Sequence, residues 1–87
     1  MKMINSSEIE SKVLHSFYEI VPEAEEEPIR KDFSLREQFD MDSIDFLNFI
    51  IKLHQTFQID FPEADYAQLT TLAKIVEYVS NHQKNSV

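Results

Sequence analysis

The chain has 87 residues and contains neither cysteine nor glycine. Without cysteine it can form no disulfide, no thiolate zinc site and no cysteine nucleophile. Without glycine it cannot form a glycine-rich phosphate loop, which needs a backbone free of Cβ atoms. Several large enzyme classes are therefore excluded before any motif is considered.

Positive charge is also scarce, since 8 Lys and Arg oppose 16 Asp and Glu for a net charge of −8. This excess of acid opposes binding to nucleic acid, and it opposes anionic membrane surfaces. It favours steering toward basic patches on protein partners. The sequence also lacks a long apolar run and a signal-peptide pattern. We therefore expect no stable membrane insertion and a cytoplasmic location.

The length predicts a single domain over residues 1–87, with a core at about 7–80 and a polar tail at 81–87. Hydrophobic residues make up 43% of the chain, which is enough to fold. We expect a monomer. The chain is too short for a nucleotide-binding sheet and a substrate domain. Any chemistry must therefore come from a cofactor or a partner enzyme.

Apolar residues recur at helical spacing and predict an all-α fold. The first helix should start near Ser7, because Ser7 and Glu10 have the spacing of a capping box. It should end before Pro22. Its buried stripe consists of Ile9, Val13, Phe17 and Ile20.

The second helix, predicted over residues 43–58, carries two apolar stripes. The first stripe consists of Phe46, Phe49, Ile50, Leu53 and Phe57. The second consists of Ile44, Leu47 and Ile51. One stripe is enough to bury a surface helix, so the second either packs under residues 29–39 or binds a partner.

A short third helix at 63–69 should follow Pro62, and Thr70 or Thr71 should cap the last helix. The stripe of the last helix consists of Leu72, Ile75, Val76 and Val79. The long first loop, 22–42, begins with an acidic run. It should then fold back onto the core through its apolar residues Ile29, Phe33, Leu35 and Phe39, with a helical turn at 34–39. The predicted fold is an antiparallel four-helix bundle of three main helices and one short helix.

Ser43 lies at the predicted start of the second helix and has two interpretations. Serine is a common cap or first-turn residue, because its oxygen accepts a free backbone amide. Alternatively, its hydroxyl is modified. The flanking Asp42 and Asp45 would repel a phosphate there unless a cation intervened, which suits recognition by a metal-dependent modifying enzyme.

Residues 39–45, Phe-Asp-Met-Asp-Ser-Ile-Asp, resemble the phosphopantetheine attachment motif of acyl carrier proteins, usually Leu-Gly-x-Asp-Ser-Leu. Residues 57–62, Phe-Gln-Ile-Asp-Phe-Pro, are similar to the family's Phe-x-Ile-x-Ile-Pro segment. Residues 69–72 resemble the start of its last helix, and 33–39 align with its loop. The resemblance spans roughly residues 7–80. The ordered set of motifs is specific, although no single one is.

This resemblance implies that a phosphopantetheinyl transferase attaches 4′-phosphopantetheine covalently to Ser43. It also implies that Asp42 helps to hold the transferase's Mg²⁺ complex. The arm's thiol would carry an acyl group as a thioester, which fits a chain without cysteine. The carrier itself would be no enzyme and would present its cargo to acyl-activating or acyl-transferring enzymes. Such carriers serve fatty acid biosynthesis and other lipid metabolism.

Two departures from the family pattern point to a specialised carrier in lipid or secondary-metabolite biosynthesis. The usual glycine three residues before the serine is Asp40, which tolerates a left-handed backbone less freely. The second helix has few acids where fatty-acid carriers are rich in Glu. It has Lys52, and the acidic excess lies at Glu23–Glu27 instead.

The stripe of Ile44, Leu47 and Ile51, together with Asp45, is a candidate docking surface for partner enzymes. Phe46, Phe49 and Ile50 are candidates for the wall of an acyl cavity, or else plain core. Two functional alternatives stay open: an aminoacyl or peptidyl carrier, and an unmodified helical protein-interaction module. The aspartates around Ser43 lack the glycine turn of a calcium loop, and the three histidines lack ligand spacing, so no metal site is predicted.

Overall fold

The computed structural model describes residues 5–83, and within them the fold is an all-α bundle, as predicted. The elements in chain order are α1 (Ser6–Ile20), a 3-10 segment (Pro22–Glu26), α2 (Leu35–Phe39), α3 (Ser43–Phe57), a second 3-10 segment (Glu63–Leu69) and α4 (Leu72–His82). The predicted short third helix is thus a 3-10 helix. The predicted tail overlaps the end of α4 at residues 81 and 82, and residues 84–87 lie outside the described part.

Helix α1 begins one residue earlier than the sequence indicates. Its N-cap is Asn5, whose side chain accepts a hydrogen bond from the Glu8 amide at 2.9 Å. The predicted capping box of Ser7 and Glu10 is therefore wrong. Glu10 instead forms an ion pair with Lys31 at 3.1 Å, so its carboxylate binds the long first loop.

The core lies where α1, α3 and α4 meet, and Phe17 is at its centre. Phe17 is 0% exposed, and its ring packs edge-on against Phe39 at 5.4 Å and Phe49 at 5.2 Å between centroids. Edge-to-face rings add stabilisation beyond the area that they bury. Phe17 thus joins α1, the end of α2 and the middle of α3.

The long first loop folds back onto this core, as predicted for three of its four apolar residues. Leu35 is buried, and Ile29 and Phe39 pack against the core in partly buried positions. Phe33 differs and is 50% exposed. The guanidinium of Arg30 lies 4.7 Å from the centre of its ring and covers one face, so Phe33 is shielded by a neighbouring cation rather than by the core.

Backbone hydrogen bonds connect this loop to the start of α4. The Leu35 amide donates to the Thr70 carbonyl and the Ala73 amide donates to the Lys31 carbonyl, both at 2.9 Å. Between these two bonds, Ser34 and Thr71 form an isolated antiparallel bridge. Thr71 also caps α4 by accepting from the Lys74 amide at 3.1 Å, one of the two predicted caps. We call this junction the loop–α4 clasp.

The second 3-10 segment, Glu63–Leu69, is anchored on α4. The Tyr78 hydroxyl donates to the Asp65 carboxylate at 2.8 Å. Burial and this hydrogen bond raise the pKa of Tyr78 to about 12. Leu69 is buried at the other end of the segment. The segment is therefore held at two points and forms a fixed wall beside α3.

Candidate functional site

Asp40 supplies the sharp turn that leads from α2 into α3. Its φ and ψ angles are 56° and 44°, in the left-handed region where glycine is favoured. Its amide donates to the Arg36 carbonyl and closes the end of α2. The aspartate that replaces the family's usual glycine thus adopts the left-handed conformation. Gln58 repeats this geometry at the end of α3, where no pattern predicted it.

Asp42, rather than Ser43, caps α3. An oxygen of the Asp42 carboxylate accepts a hydrogen bond from the Asp45 amide at 2.8 Å. Ser43 is the first residue of the helix, and its side chain is exposed. Ser43 is therefore not the cap, because the preceding aspartate performs that role, and of the two local positions predicted for it Ser43 takes the first turn. The Ser43 hydroxyl is held at a helix start without being used to form it.

The Ser43 hydroxyl accepts a hydrogen bond from the side chain of Arg36, on α2. Its Nη2 donates to Ser43 Oγ at 3.4 Å, a long hydrogen bond. The same guanidinium lies over the Phe46 ring, 5.4 Å from its centroid. Sequence reasoning missed Arg36, because it lies on α2 and reaches Ser43 only through the turn at Asp40, which no helical period predicts.

An open cleft of about 410 Å³ begins at Ser43 and lies between α3 and the Glu63–Leu69 segment. Phe46 and Leu47 form one side, and Tyr66 and Thr70 form the other. The Tyr66 ring packs edge-on against Phe46 at 5.7 Å. Tyr66 was also missed, because it belongs to a segment with no clear apolar period.

A second cleft, of about 550 Å³, lies on the other side of Tyr66 and is lined by Ile50, Ile51 and Phe61, among others. Tyr66 borders both clefts. Tyr66 is thus the aromatic residue that the two clefts share, and Ser43 lines the first of them.

The second apolar stripe of α3 is exposed rather than covered by residues 29–39. Ile44 is 68%, Leu47 45% and Ile51 54% exposed. Because their spacing puts them on one face of the helix, they form an apolar strip beside Ser43. The strip is available to a partner, but docking there stays a prediction.

The first stripe of α3 is core. Phe46, Phe49 and Ile50 are all buried, and Phe49 packs on Phe17. Their role as the wall of an acyl cavity stays a prediction. Chemical-shift changes at Phe46 and Phe49 on acylation, compared with the unacylated form, would support it, and unchanged shifts would contradict it.

The far face of α3 is tied to α1. Lys52 forms an ion pair with Glu19 at 2.7 Å, and this hydrogen bond lowers the pKa of the Glu19 carboxyl. Nine residues along a helix correspond to about half a turn of rotation, so Lys52 points away from Ser43. Within residues 5–83, no group of three or more His, Asp or Glu side chains is placed to hold a metal ion. In the same range, no helix is both long and apolar enough to cross a bilayer.

The fold and site define a small carrier-type domain. It is a helical bundle that presents an exposed serine, which does not cap its helix, beside an open cleft. A family model described as "Phosphopantetheine attachment site" matches residues 14–79. The chain belongs to the acyl carrier protein family, whose cofactor is covalently attached 4′-phosphopantetheine.

Three curated relatives, all named acyl carrier protein, illustrate the similarity. The protein of Lactobacillus johnsonii is 38% identical over 55 residues, which cover 63% of this chain and 69% of the relative. That of Rubrobacter xylanophilus is 28% identical over 75 residues, 83% of this chain and 93% of the relative. That of Chlamydia trachomatis is 32% identical over 57 residues, 66% of this chain and 74% of the relative. The family model and these three relatives support a role as an acyl carrier.

Proposed function

We propose that Ser43 is the attachment residue and that the chain is a specialised acyl carrier in lipid or secondary-metabolite biosynthesis. One observation carries the assignment of Ser43: its hydroxyl is exposed at the first residue of α3 while Asp42 caps the helix. The side chain is free to react without disturbing the helix that presents it.

The residues around Ser43 fit the proposed group. Ser43 lines the 410 Å³ cleft beside α3 together with Leu47 and Tyr66, so an attached chain would have apolar surface next to it. When bound, the group supplies a thiol that holds acyl cargo as a thioester. The protein itself has no cysteine that would compete with that thiol.

In the loading step, Ser43 Oγ forms a bond to the phosphorus of coenzyme A that carries the pantetheine. The pyrophosphate bond breaks, the nucleotide half leaves, and the hydroxyl proton passes to a base of the transferase. This chain contributes the nucleophilic oxygen and its position. Metal, base and coenzyme A belong to the partner enzyme.

The specialised role is supported by the charge of α3. Its exposed polar positions include Asn48, Gln55 and Thr56, and its one lysine is bound to Glu19. A helix with so few free carboxylates offers little to a basic docking surface. We therefore infer that partner enzymes bind this carrier through apolar contacts and through the acidic residues close to Ser43, such as Asp45.

The test of loading is incubation with coenzyme A, Mg²⁺ and a broad-specificity transferase, followed by intact-mass measurement. We expect a single gain equal to one phosphopantetheinyl group, and peptide mapping should place it on Ser43. No gain with several transferases would favour an unmodified interaction module. Mass spectrometry of the protein from its own source would then identify the cargo, and an aminoacyl thioester there would overturn the acyl assignment.

Asp42 should have two separable roles, as helix cap and as part of the metal-dependent recognition. Asp42→Asn retains a good capping group, whereas Asp42→Ala removes it at a cost of about 1 kcal/mol. We expect both variants to be loaded far more slowly, but only the alanine variant to lose that stability. Loading rates from timed mass spectra and urea denaturation measure the two effects. Normal loading of Asp42→Asn would remove the proposed recognition role.

The exposed strip of α3 should contact partner enzymes directly. Ile44→Ala and Ile51→Ala remove more than half-exposed side chains, so each should cost less than about 1 kcal/mol of stability. We expect Ile44→Ala to raise the transferase KM several-fold, because Ile44 adjoins Ser43. Phe33→Ala, at a similarly exposed apolar residue outside α3, is the matched control. Equal KM values for all these variants would contradict docking on the strip.

A further inference from the structure

We propose that Arg36 is a positioning residue that binds the phosphodiester anion formed when Ser43 is loaded. The inference rests on the proposed attachment at Ser43 and adds a second recognition element from α2. Its ligand is the monoanionic phosphodiester that links the serine oxygen to the arm. The contact is intramolecular and exists only in the loaded protein.

The distance between the two side chains carries the argument. Arg36 Nη2 is 3.4 Å from Ser43 Oγ, the atom that becomes one of the ester oxygens of the phosphate. The free phosphate oxygens are then one bond beyond phosphorus, within reach of the guanidinium after rotation about side-chain bonds. A guanidinium presents five donors in a planar fork that suits two oxygens of one phosphate. The long bond to a neutral hydroxyl is thereby replaced by charge-assisted bonds.

Two features of the structure place Arg36 beside Ser43. Its guanidinium lies 5.4 Å from the centre of the Phe46 ring, and that ring is buried and backed by Tyr66. A cation over a ring face is attracted by the ring electrons and keeps N–H groups able to donate elsewhere. The preceding residue, Leu35, is buried, which fixes the start of α2 against the core.

The surroundings of Ser43 are acidic, so a cation is needed there to offset the negative charge that loading adds. Asp42 and Asp45 flank Ser43, and Glu63 lines the same cleft. Loading adds another negative charge to a protein of net charge −8. The lysines at positions 31 and 52 form ion pairs with Glu10 and Glu19 and are engaged elsewhere. Arg36 is the cation whose side chain contacts the attachment oxygen.

The contact between Arg36 and the phosphate also sets the direction in which the attached arm begins. Arg36 lines the cleft between α3 and Glu63–Leu69, together with Ser43, Leu47 and Tyr66. A phosphate held by Arg36 lies at the mouth of this cleft, on the side of α2. The following part of the arm then starts along this cleft rather than away from the protein.

The side-chain NMR signals of arginine test the contact, because the chain contains only two arginines. Arg30, which covers Phe33, is the internal control. In ¹⁵N spectra at mildly acidic pH, we expect the Arg36 Nε–Hε signal to shift by more than its linewidth between unloaded and loaded protein. The Arg30 signal should not shift. A loaded protein, confirmed by its mass, with both signals unchanged would overturn the inference and leave the proposed function standing.

The single phosphorus of the loaded protein gives a second readout. We expect the ³¹P shift to differ between wild type and Arg36→Gln, to be unchanged in Arg30→Gln, and to be partly restored in Arg36→Lys, which supplies charge without the fork. Salt at 1 M, where the screening length is about 3 Å, should bring wild type close to Arg36→Gln. Identical shifts in all four proteins would refute the contact. Absence of any loaded protein would instead refute the attachment itself, and this inference with it.

Discussion

Ser43→Ala is expected to abolish loading with phosphopantetheine completely while leaving the fold intact. The variant loses the oxygen that would form the bond to phosphorus, and no neighbouring side chain replaces it in that position. The fold should tolerate the change because Asp42 caps α3 and Ser43 is exposed. We expect the free energy of unfolding to change by less than about 0.5 kcal/mol. Intact mass and urea denaturation measure the two effects on one preparation.

Ser34→Ala is the matched control, because Ser34 is also a serine at a helix start. Its hydroxyl caps α2 by accepting from the Glu37 amide at 3.4 Å. This variant should load fully and lose about 0.5–1 kcal/mol of stability, the reverse of the Ser43 result. A mass gain that persists in Ser43→Ala would show that another hydroxyl is the acceptor, and the proposed site would fall.

Phe17→Ala should leave the protein largely unfolded at physiological temperature. Truncation of a buried phenylalanine costs about 3–5 kcal/mol, whereas a domain of this size has on the order of 5 kcal/mol in total. Phe17 is 0% exposed and also loses edge-on contacts with Phe39 and Phe49. Helical circular dichroism against temperature measures the loss. We expect the cooperative transition to disappear or to move to far lower temperature.

Phe33→Ala is the control for this second prediction, since it makes the same chemical change at a residue that is 50% exposed. It should cost less than about 1 kcal/mol. If Phe17→Ala unfolded cooperatively near the wild-type temperature, the three-way ring contact would not be the centre of the core. The pair therefore separates loss of aromatic surface in general from loss of this particular packing.

The helices of the bundle were predictable because apolar period and caps are local signals. The start of α3 at Ser43 follows directly from such patterns, and the cap of α4 was narrowed by them to Thr70 or Thr71, of which the structure has Thr71. The start of α1 was wrong because Asn5 and Ser7, two residues apart, both qualify as caps, and only geometry decides between them. The Glu63–Leu69 segment was located correctly, but its 3-10 winding was not predicted, and its anchors, such as the Tyr78–Asp65 bond, join separate elements of the chain.

Only part of the candidate site could be predicted from the sequence. Ser43, Asp42 and the exposed strip of α3 come from a short stretch of sequence, and the resemblance to carriers points to that stretch. Arg36 and Tyr66 come from other elements and reach Ser43 or Phe46 only through tertiary packing. No helical or strand period encodes such contacts. Whether Asp42 or Ser43 caps the helix was also undecidable from sequence, because both residue types are good caps.

The loop–α4 clasp has a consequence for how the protein opens. Its amides, those of Leu35 and Ala73, connect segments far apart in sequence, so neither can exchange its hydrogen with solvent until both segments separate. Fraying of α4 from its C-terminal end leaves the clasp closed, whereas its release frees α2 and, with it, the turn at Asp40. In hydrogen–deuterium exchange the two amides should therefore behave as one kinetic unit. The lifetime of the stretch that presents Ser43 would then be set by contacts made at the start of α4, about 30 residues further along the chain.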